Sequence, residues 1–312
     1  MTTQPGDRAA AVARRTIAQG QVGPTWSQAR PRLAVFDIDG TLLDPAGELR
    51  PQVRRAVQAV AGSGTRVMLA TGRSPWAVIR VMRDLGLTGP QVTMNGGVFA
   101  DPITGEIVWA RRLSHDLALD AVALARELGT RPLANFIHRH VAEAEPDGSM
   151  PADLSGFVQP SRLHLVRALE DVAGYGPIRI YIPTGPERHA RAVAAARELF
   201  DERASVVWGD EDGIEILAPG TNKGAGVRIA AESAGIAAED VAAAGDAPND
   251  LEMLAWAGHS AAMGNAPADV RAAARHLVPS AADDGLLEAI RLTFPDLPLV
   301  GEPDAAVGAT AA

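Results

Sequence analysis

Short, continuous apolar runs alternate with stretches of helical spacing along the chain. Leu33-Ala34-Val35-Phe36 is apolar at every position, the pattern of a parallel-sheet strand buried on both faces. Pro51 to Ala61 places Val53, Ala56, Val57 and Val60 on one helical face, and Gly62 and Gly64 end it. Arg66 to Ala70 reads as a second strand. Ser74 to Leu85 reads as a helix with serine at the cap and proline at the first position. Gln91 to Met94 is a third strand, stopped by Asn95-Gly96-Gly97. A β-α-β-α-β order predicts a right-handed, mostly parallel sheet.

From Val98 the pattern changes. Strands are expected at Ile107–Trp109, Leu133–Ile137, His140–Ala144, Ile178–Ile182, Ser205–Trp208 and Gly213–Ala218, with helices over Ser114–Leu128 and Pro186–Phe200. Strand pairs mixed with a few helices predict an α+β unit. The parallel pattern then resumes. Helices are expected over Lys223–Ala234, Asp250–Ala257, Pro267–Ala274 and Gly285–Leu292, and strands at Val241–Ala244, Ser260–Met263 and His276–Val278. The expected fold is α/β, a Rossmann-like parallel sheet core made of residues 31–97 and 219–296, with an inserted α+β cap domain at 98–218. The flanks, 1–30 and 297–312, are expected to be flexible tails, because nothing in them sustains a periodic apolar face.

Composition narrows the possible functions. Net charge is −9, from 29 basic and 38 acidic residues, with no long basic block. That argues against nucleic acid or an anionic membrane as partner. No apolar segment approaches the roughly 18–20 residues of a membrane span, and the N-terminus lacks the apolar core of a secretory signal. The absence of cysteine excludes disulfides, thiolate nucleophiles and cysteine metal sites. The expectation is a cytoplasmic protein.

Four clusters share one address, each following a strand of the parallel sheet or opening the next helix. Asp37 and Asp39 end the first strand, where buried paired carboxylates need a cation to be tolerated. Asp37 suits nucleophilic attack or metal binding, and Asp39 suits proton transfer. Thr71-Gly72-Arg73 offers a hydroxyl and free N–H groups at a helix start, an anion site. Arg73 itself reads as a solvated helix residue. Lys223 opens a helix, a position that is ordinarily on the surface. Gly245-Asp246-Ala247-Pro248-Asn249-Asp250 supplies two more acids and an amide, more than one helix cap requires. Together they suit Mg²⁺ held by oxygen ligands beside a phosphoryl group.

At these residues the chain resembles the haloacid dehalogenase-like hydrolase superfamily, in its Cof-type branch with a cap of the larger (C2) α+β type. Asp37-Ile38-Asp39-Gly40-Thr41 matches the superfamily's first motif, Thr71-Gly72-Arg73 its second, Lys223 its third, and Gly245-Asp246 with Asn249-Asp250 its fourth. Asn95-Gly96-Gly97 is similar to the segment preceding the inserted cap. Ala262 to Ala266 and Asp284-Gly285 are similar to two later segments, so the match spans about 32 to 292. The resemblance implies a Mg²⁺-dependent phosphatase acting on a small phosphorylated metabolite. In it Asp37 would be the nucleophile and Asp39 the acid and base. The metal would be held by Asp37, the Asp39 backbone carbonyl, Asp246 and Asp250, and the phosphoryl group by Thr71, Gly72, Lys223 and Asn249.

A sugar phosphomutase and a non-catalytic phosphometabolite-binding protein of the same fold are the alternatives. Family members often carry asparagine three residues before the late Asp-Gly pair, where this chain has Ala281. A polar contact near the fourth motif is therefore expected to be missing or replaced, with Asp283 as a candidate. His138, Arg139, His140, Arg179 and Tyr181 are the cap residues with chemistry suited to a leaving group. A dinucleotide-binding enzyme and a P-loop nucleotidase are disfavoured, because neither glycine-rich signature is present.

Overall fold

The computed structural model describes residues 30–151 and 159–298. The expected tails lie outside the described residues, except for Arg30, Leu297 and Pro298. Leu297 is not tail-like: it packs against the core.

Strand β1 (Leu33–Phe36) is followed by helix α1 (Pro51–Gly62), β2 (Arg66–Leu69), α2 (Ile79–Leu85) and β3 (Gln91–Thr93). The helix expected to start at Ser74 begins as a 3₁₀ turn, Pro75–Val78, and Ser74 makes no side-chain cap bond. The expected place of β3 in the parallel sheet needs correcting. It continues that sheet through a single bridge, Ala70 to Val92, and otherwise pairs antiparallel with β4 (Val98–Ala100), which in turn pairs with β5 (Ile107–Ala110). The Gln91 side chain substitutes for the missing ladder, its Oε1 accepting the Leu69 N–H at 2.7 Å.

The inserted region continues with α3 (His115–Glu127), β6 (Leu133–Asn135), β7 (His140–Glu143), β8 (Leu163–Val166), the short α4 (Glu170–Ala173), β9 (Arg179–Pro183), α5 (Pro186–Phe200), β10 (Ser205–Val207) and β11 (Gly213–Leu217). The six strands order as β10-β11-β9-β6-β7-β8, antiparallel except for β7 with β8. Three elements escape the sequence pattern. β4 is only three residues long, α4 is a single turn, and β8 is a four-residue, half-exposed edge strand whose apolar run is broken by His164.

The chain then returns through α6 (Lys223–Ser233), β12 (Val241–Gly245), α7 (Leu251–Trp256), β13 (His259–Ala262), α8 (Ala268–Ala273), β14 (His276–Leu277) and α9 (Gly285–Thr293). The central sheet runs β14-β13-β12-β1-β2, parallel throughout. Alternate residues of its strands feed two cores. Ala34, Phe36 and Leu69 pack with Val57, Met82 and Ile290 on one face, whereas Leu33, Val35 and Ala243 pack with Val227, Met253 and Val270 on the other. In the six-stranded sheet, Ile180, Ile182, Ile214 and Ile216 face the helices with Ala121, Ala196 and Phe200. Their neighbours Arg179, Tyr181 and Glu215 therefore face the opposite way, as a period of two requires. No helix among the described residues is long and apolar enough to cross a membrane.

Phe200 is fully buried in the core of the inserted unit. Phe200→Ala should lower the stability of that unit by about 3–5 kcal/mol, through lost burial plus a cavity. A marked fall in the urea midpoint, followed by the fluorescence of Trp208 beside this core, is the expected result.

Candidate active site

Asp37 is the first residue past β1, and its N–H donates to the Ala244 carbonyl of β12 at 3.0 Å. Asp246 is the first residue past β12. The two carboxylates thus leave adjacent strands at the point where the strand order reverses, the usual ligand position in open α/β sheets. Asp250 ends the 3₁₀ turn after β12, and its Oδ2 accepts the N–H groups of Asp246 and Ala247, both at 3.0 Å. Lys223 opens α6, whose N-terminus is capped by Asn222 Oδ1 accepting from the Ala225 N–H at 2.7 Å. Lys223 Nζ donates to Asp37 Oδ1 at 2.7 Å and to Asp250 Oδ1 at 2.9 Å. Lys223, at a helix start that is ordinarily on the surface, is 1% exposed.

One oxygen from each of Asp37, Asp246 and Asp250 lies within 4.8 Å of the others. Burial pushes the Asp37 carboxyl well above the usual carboxylate range, and Asp250 adds repulsion that the attraction of Lys223 only partly offsets. Burial likewise pushes Asp246 up to about 6, against the hydrogen bond from Thr41. For Lys223, burial pulls downward, but Asp250 and Asp37 outweigh it and keep the ammonium charged. One ammonium does not neutralise three carboxylates. The surplus, all of it on oxygen, fits a hard divalent cation.

The surroundings are built for the same purpose. Gly40, at φ 78, lies so close to Asp246 that a Cβ would fall 2.2 Å from its Oδ2. Thr41 Oγ1 donates to Asp246 Oδ1 at 2.7 Å, and Asn265 Nδ2 donates to Asp246 Oδ2 at 2.9 Å. Asn265 Oδ1 accepts the Ala281 N–H at 3.1 Å, so the backbone of Ala281 takes part where its side chain cannot. Asp283, the expected replacement, is engaged instead by Ser280 Oγ at 2.6 Å.

On the other side, Thr71 is 1% exposed, and its Oγ1 accepts the Arg73 N–H at 3.1 Å, which leaves the hydroxyl hydrogen for another acceptor. Gly72 abuts the Asn95 amide: a Cβ there would lie 3.2 Å from Nδ2. Asn249 Nδ2 donates to Asn95 Oδ1 at 3.0 Å, and Asn249 Oδ1 is buried without a partner. Asp39 stands apart from the carboxylate triad. Its side chain is exposed and accepts two bonds from Arg73, at 2.8 Å from Nε and 2.5 Å from Nη2. Arg73 is accordingly half-buried and bound rather than solvated. A metal role for Asp39 rests on its backbone carbonyl.

The cap residues divide. Arg179 reaches the core, donating to the Gly72 carbonyl at 2.8 Å. His140 is held neutral, burial first and Arg179 second lowering it to about 4, and it meets Asn135 Nδ2 at 2.9 Å. His138 and Arg139 line a separate cavity with Phe136 and Tyr175. Gly209, in the loop between β10 and β11, lies against the site: a Cβ there would fall 3.3 Å from Asn249 Nδ2. Arg73 was read from the sequence as solvated, and Asn265 and Glu215 were given no role there. Glu215 had a usable signal, as the one charge in the apolar run Ile214–Leu217.

Residues 34–290 match the family model of haloacid dehalogenase-like hydrolases, and the chain belongs to that family. It is 30% identical over 267 residues to YxeH of Bacillus subtilis, a phosphatase by name, covering 83% of this chain and 97% of that one. It is 28% identical over 251 residues to an HMP-PP phosphatase of Escherichia coli, covering 79% and 89%. Its fold matches a haloacid dehalogenase-like hydrolase from Bacteroides thetaiotaomicron with a TM-score of 0.72 at 23% identity, over 85% of this chain and all of that one. A subclass IIB sugar phosphatase superposes equally well, at 21% identity over 84% and 98%.

The raised carboxylates set a pH dependence. Unfolded, Asp246 would titrate at its ordinary 3.8; folded, it titrates at about 6. Its protonation therefore contributes stability that is full below 3.8 and lost as pH rises through about 6. Metal-free protein should show a melting temperature that falls across this window, with a shallower fall in Asp246→Asn. Equal slopes in the two proteins would refute the assignment.

Proposed function

We propose that the protein is a Mg²⁺-dependent phosphatase that hydrolyses a small phosphorylated metabolite, such as a sugar phosphate, through an aspartyl-phosphate on Asp37. One observation carries this reading: a buried aspartate at a strand end, with one oxygen held by Lys223 and two further carboxylates alongside. The phosphatase names of the relatives support it.

Asp37 attacks phosphorus in line, forming a P–O bond as the bond to the leaving group breaks. Asp39, released from Arg73 and protonated from solvent, gives that proton to the leaving oxygen. It then takes a proton from the water that attacks the aspartyl-phosphate, and inorganic phosphate and free Asp37 result. Thr71, the N–H groups around Gly72, and Asn249 hold the phosphoryl oxygens, while Lys223 offsets charge on nucleophile and phosphate. Asp37, the Asp39 carbonyl, Asp246 and Asp250 would hold Mg²⁺, which supplies positive charge between two anions that otherwise repel. In this reading residues 31–97 and 219–296 carry the chemistry. Residues 98–218 form the cap that excludes water and meets the leaving group. A cytoplasmic location goes with a metabolite substrate.

With Mg²⁺ and p-nitrophenyl phosphate, the protein should release phosphate saturably, and chelation should abolish release. Asp37→Asn should lower turnover by about four orders of magnitude with an unchanged circular dichroism spectrum. Turnover retained in that variant would remove Asp37 as nucleophile. Phosphate moved within a sugar, rather than released, would make the protein a mutase.

A further inference from the structure

Arg179, Asn135, Glu215 and Asn95, the first two and the last buried and Glu215 partly so, form a connected chain that crosses from the cap to the core. Arg179, 8% exposed on β9, donates from Nε to Asn135 Oδ1 at 2.8 Å and from Nη1 to the Gly72 carbonyl at 2.8 Å. Its Nη1 also pairs with Glu215 Oε1 of β11 at 2.6 Å. The second oxygen of Glu215 accepts from Asn95 Nδ2 at 2.7 Å, and Asn95 Oδ1 accepts from Asn249 Nδ2 at 3.0 Å.

Each end of this chain terminates on a group assigned to the phosphoryl oxygens. At one end, the carbonyl that Arg179 grips belongs to the peptide whose N–H, that of Arg73, donates to Thr71 Oγ1 at 3.1 Å. A peptide is planar, so fixing its oxygen fixes its N–H. The Thr71 lone pair is thereby engaged and its hydroxyl hydrogen directed elsewhere. At the other end, Asn95 takes one hydrogen of the Asn249 amide, which determines where the second points. Asn95 is held for this task at φ 51, next to Met94 at φ 50, a backbone conformation that side chains rarely adopt.

We infer that the Arg179–Glu215 ion pair of the cap is the positioning device for both phosphoryl-binding groups, orienting Thr71 through the Gly72–Arg73 peptide and Asn249 through Asn95. Both charges sit on strands of the inserted unit, whereas both groups they orient sit on the core. The phosphate site is therefore complete only while the cap is docked, and anion recognition and cap closure are one event. This inference rests on the phosphatase reading for the roles of Thr71 and Asn249.

Neither ion-pair residue is placed against the carboxylate triad, and that separation supplies the test. Inorganic phosphate binding in the presence of Mg²⁺ is measured by calorimetry on the intact protein, together with KM for p-nitrophenyl phosphate and the Mg²⁺ activation constant. Glu215→Gln keeps the shape and removes the charge; Arg179→Lys keeps the charge and cannot span three acceptors. Each should weaken phosphate binding and raise KM by about tenfold to a hundredfold, with the Mg²⁺ constant unchanged. In an Asn249→Ala background, Glu215→Gln should cost less than it does alone, because one of its two outlets is gone. Unchanged phosphate affinity in folded Glu215→Gln, or a Mg²⁺ constant that moves in proportion, would overturn the inference. So would full additivity with Asn249→Ala. If the unaltered protein binds phosphate but does not turn over, the phosphatase reading fails and the positioning role is still decided by affinity. If it binds no phosphate, both fail.

Discussion

The ammonium of Lys223 is the contact on which the rest of the site depends. It is buried between Asp37 and Asp250, which follow two adjacent strands of one sheet. A carboxylate taken out of water without a partner costs several kcal/mol, so neither acid is tolerable at that depth without the lysine. The lysine in turn stays charged only because the two acids outweigh its own burial. This mutual dependence dictates how α6 must approach the sheet: its first residue, and no later one, has to arrive at the ends of β1 and β12. The third acid, Asp246, lies at the edge of this arrangement. Thr41 and Asn265 hold it by hydrogen bonds, and its charge is left unmatched.

That unmatched charge explains the close backbone approach around it. Gly40 can sit against Asp246 only because it has no side chain, and its positive φ turns the chain sharply after Asp37-Ile38-Asp39. The protein thus spends local conformational freedom to gather carboxylates that repel each other. Such an arrangement is reasonable when a cation completes it, and hard to account for as scaffolding.

The parallel core was readable from residue order because a strand buried on both faces leaves an uninterrupted apolar run, as in Leu33–Phe36. Asp37 and Asp246 were readable for a related reason, since charges at the ends of such runs have no structural use, whereas Lys223 follows a turn and was placed by its match to the third motif. Arg73, Asn265 and Glu215 were harder, since each acts through a partner more than a dozen residues away in the chain, fixed by packing alone. Arg179 and Glu215 share a face of the six-stranded sheet only because β9 and β11 pair in one particular register. A single-residue slip of either strand would turn its own charge towards the helices and part the pair. β8 and β3 were misjudged from the opposite cause. One is a short apolar stretch interrupted by His164, and the other is too short to complete its ladder without the Gln91 side chain.

The strand order also bears on how the protein is made. β1 lies between β2 and β12, but β12 emerges from the ribosome more than two hundred residues after β1. Until then one edge of β1 carries open hydrogen-bonding groups along a wholly apolar segment, the kind of surface that pairs with other chains. Asp37 waits for its partner as well, since its lysine lies 186 residues downstream. The whole inserted unit is synthesised in that interval, and its six strands can pair among themselves without the core. The centre of the sheet therefore closes only after the inserted unit has been made, and the nascent chain's exposure to aggregation is set by how soon β12 reaches β1.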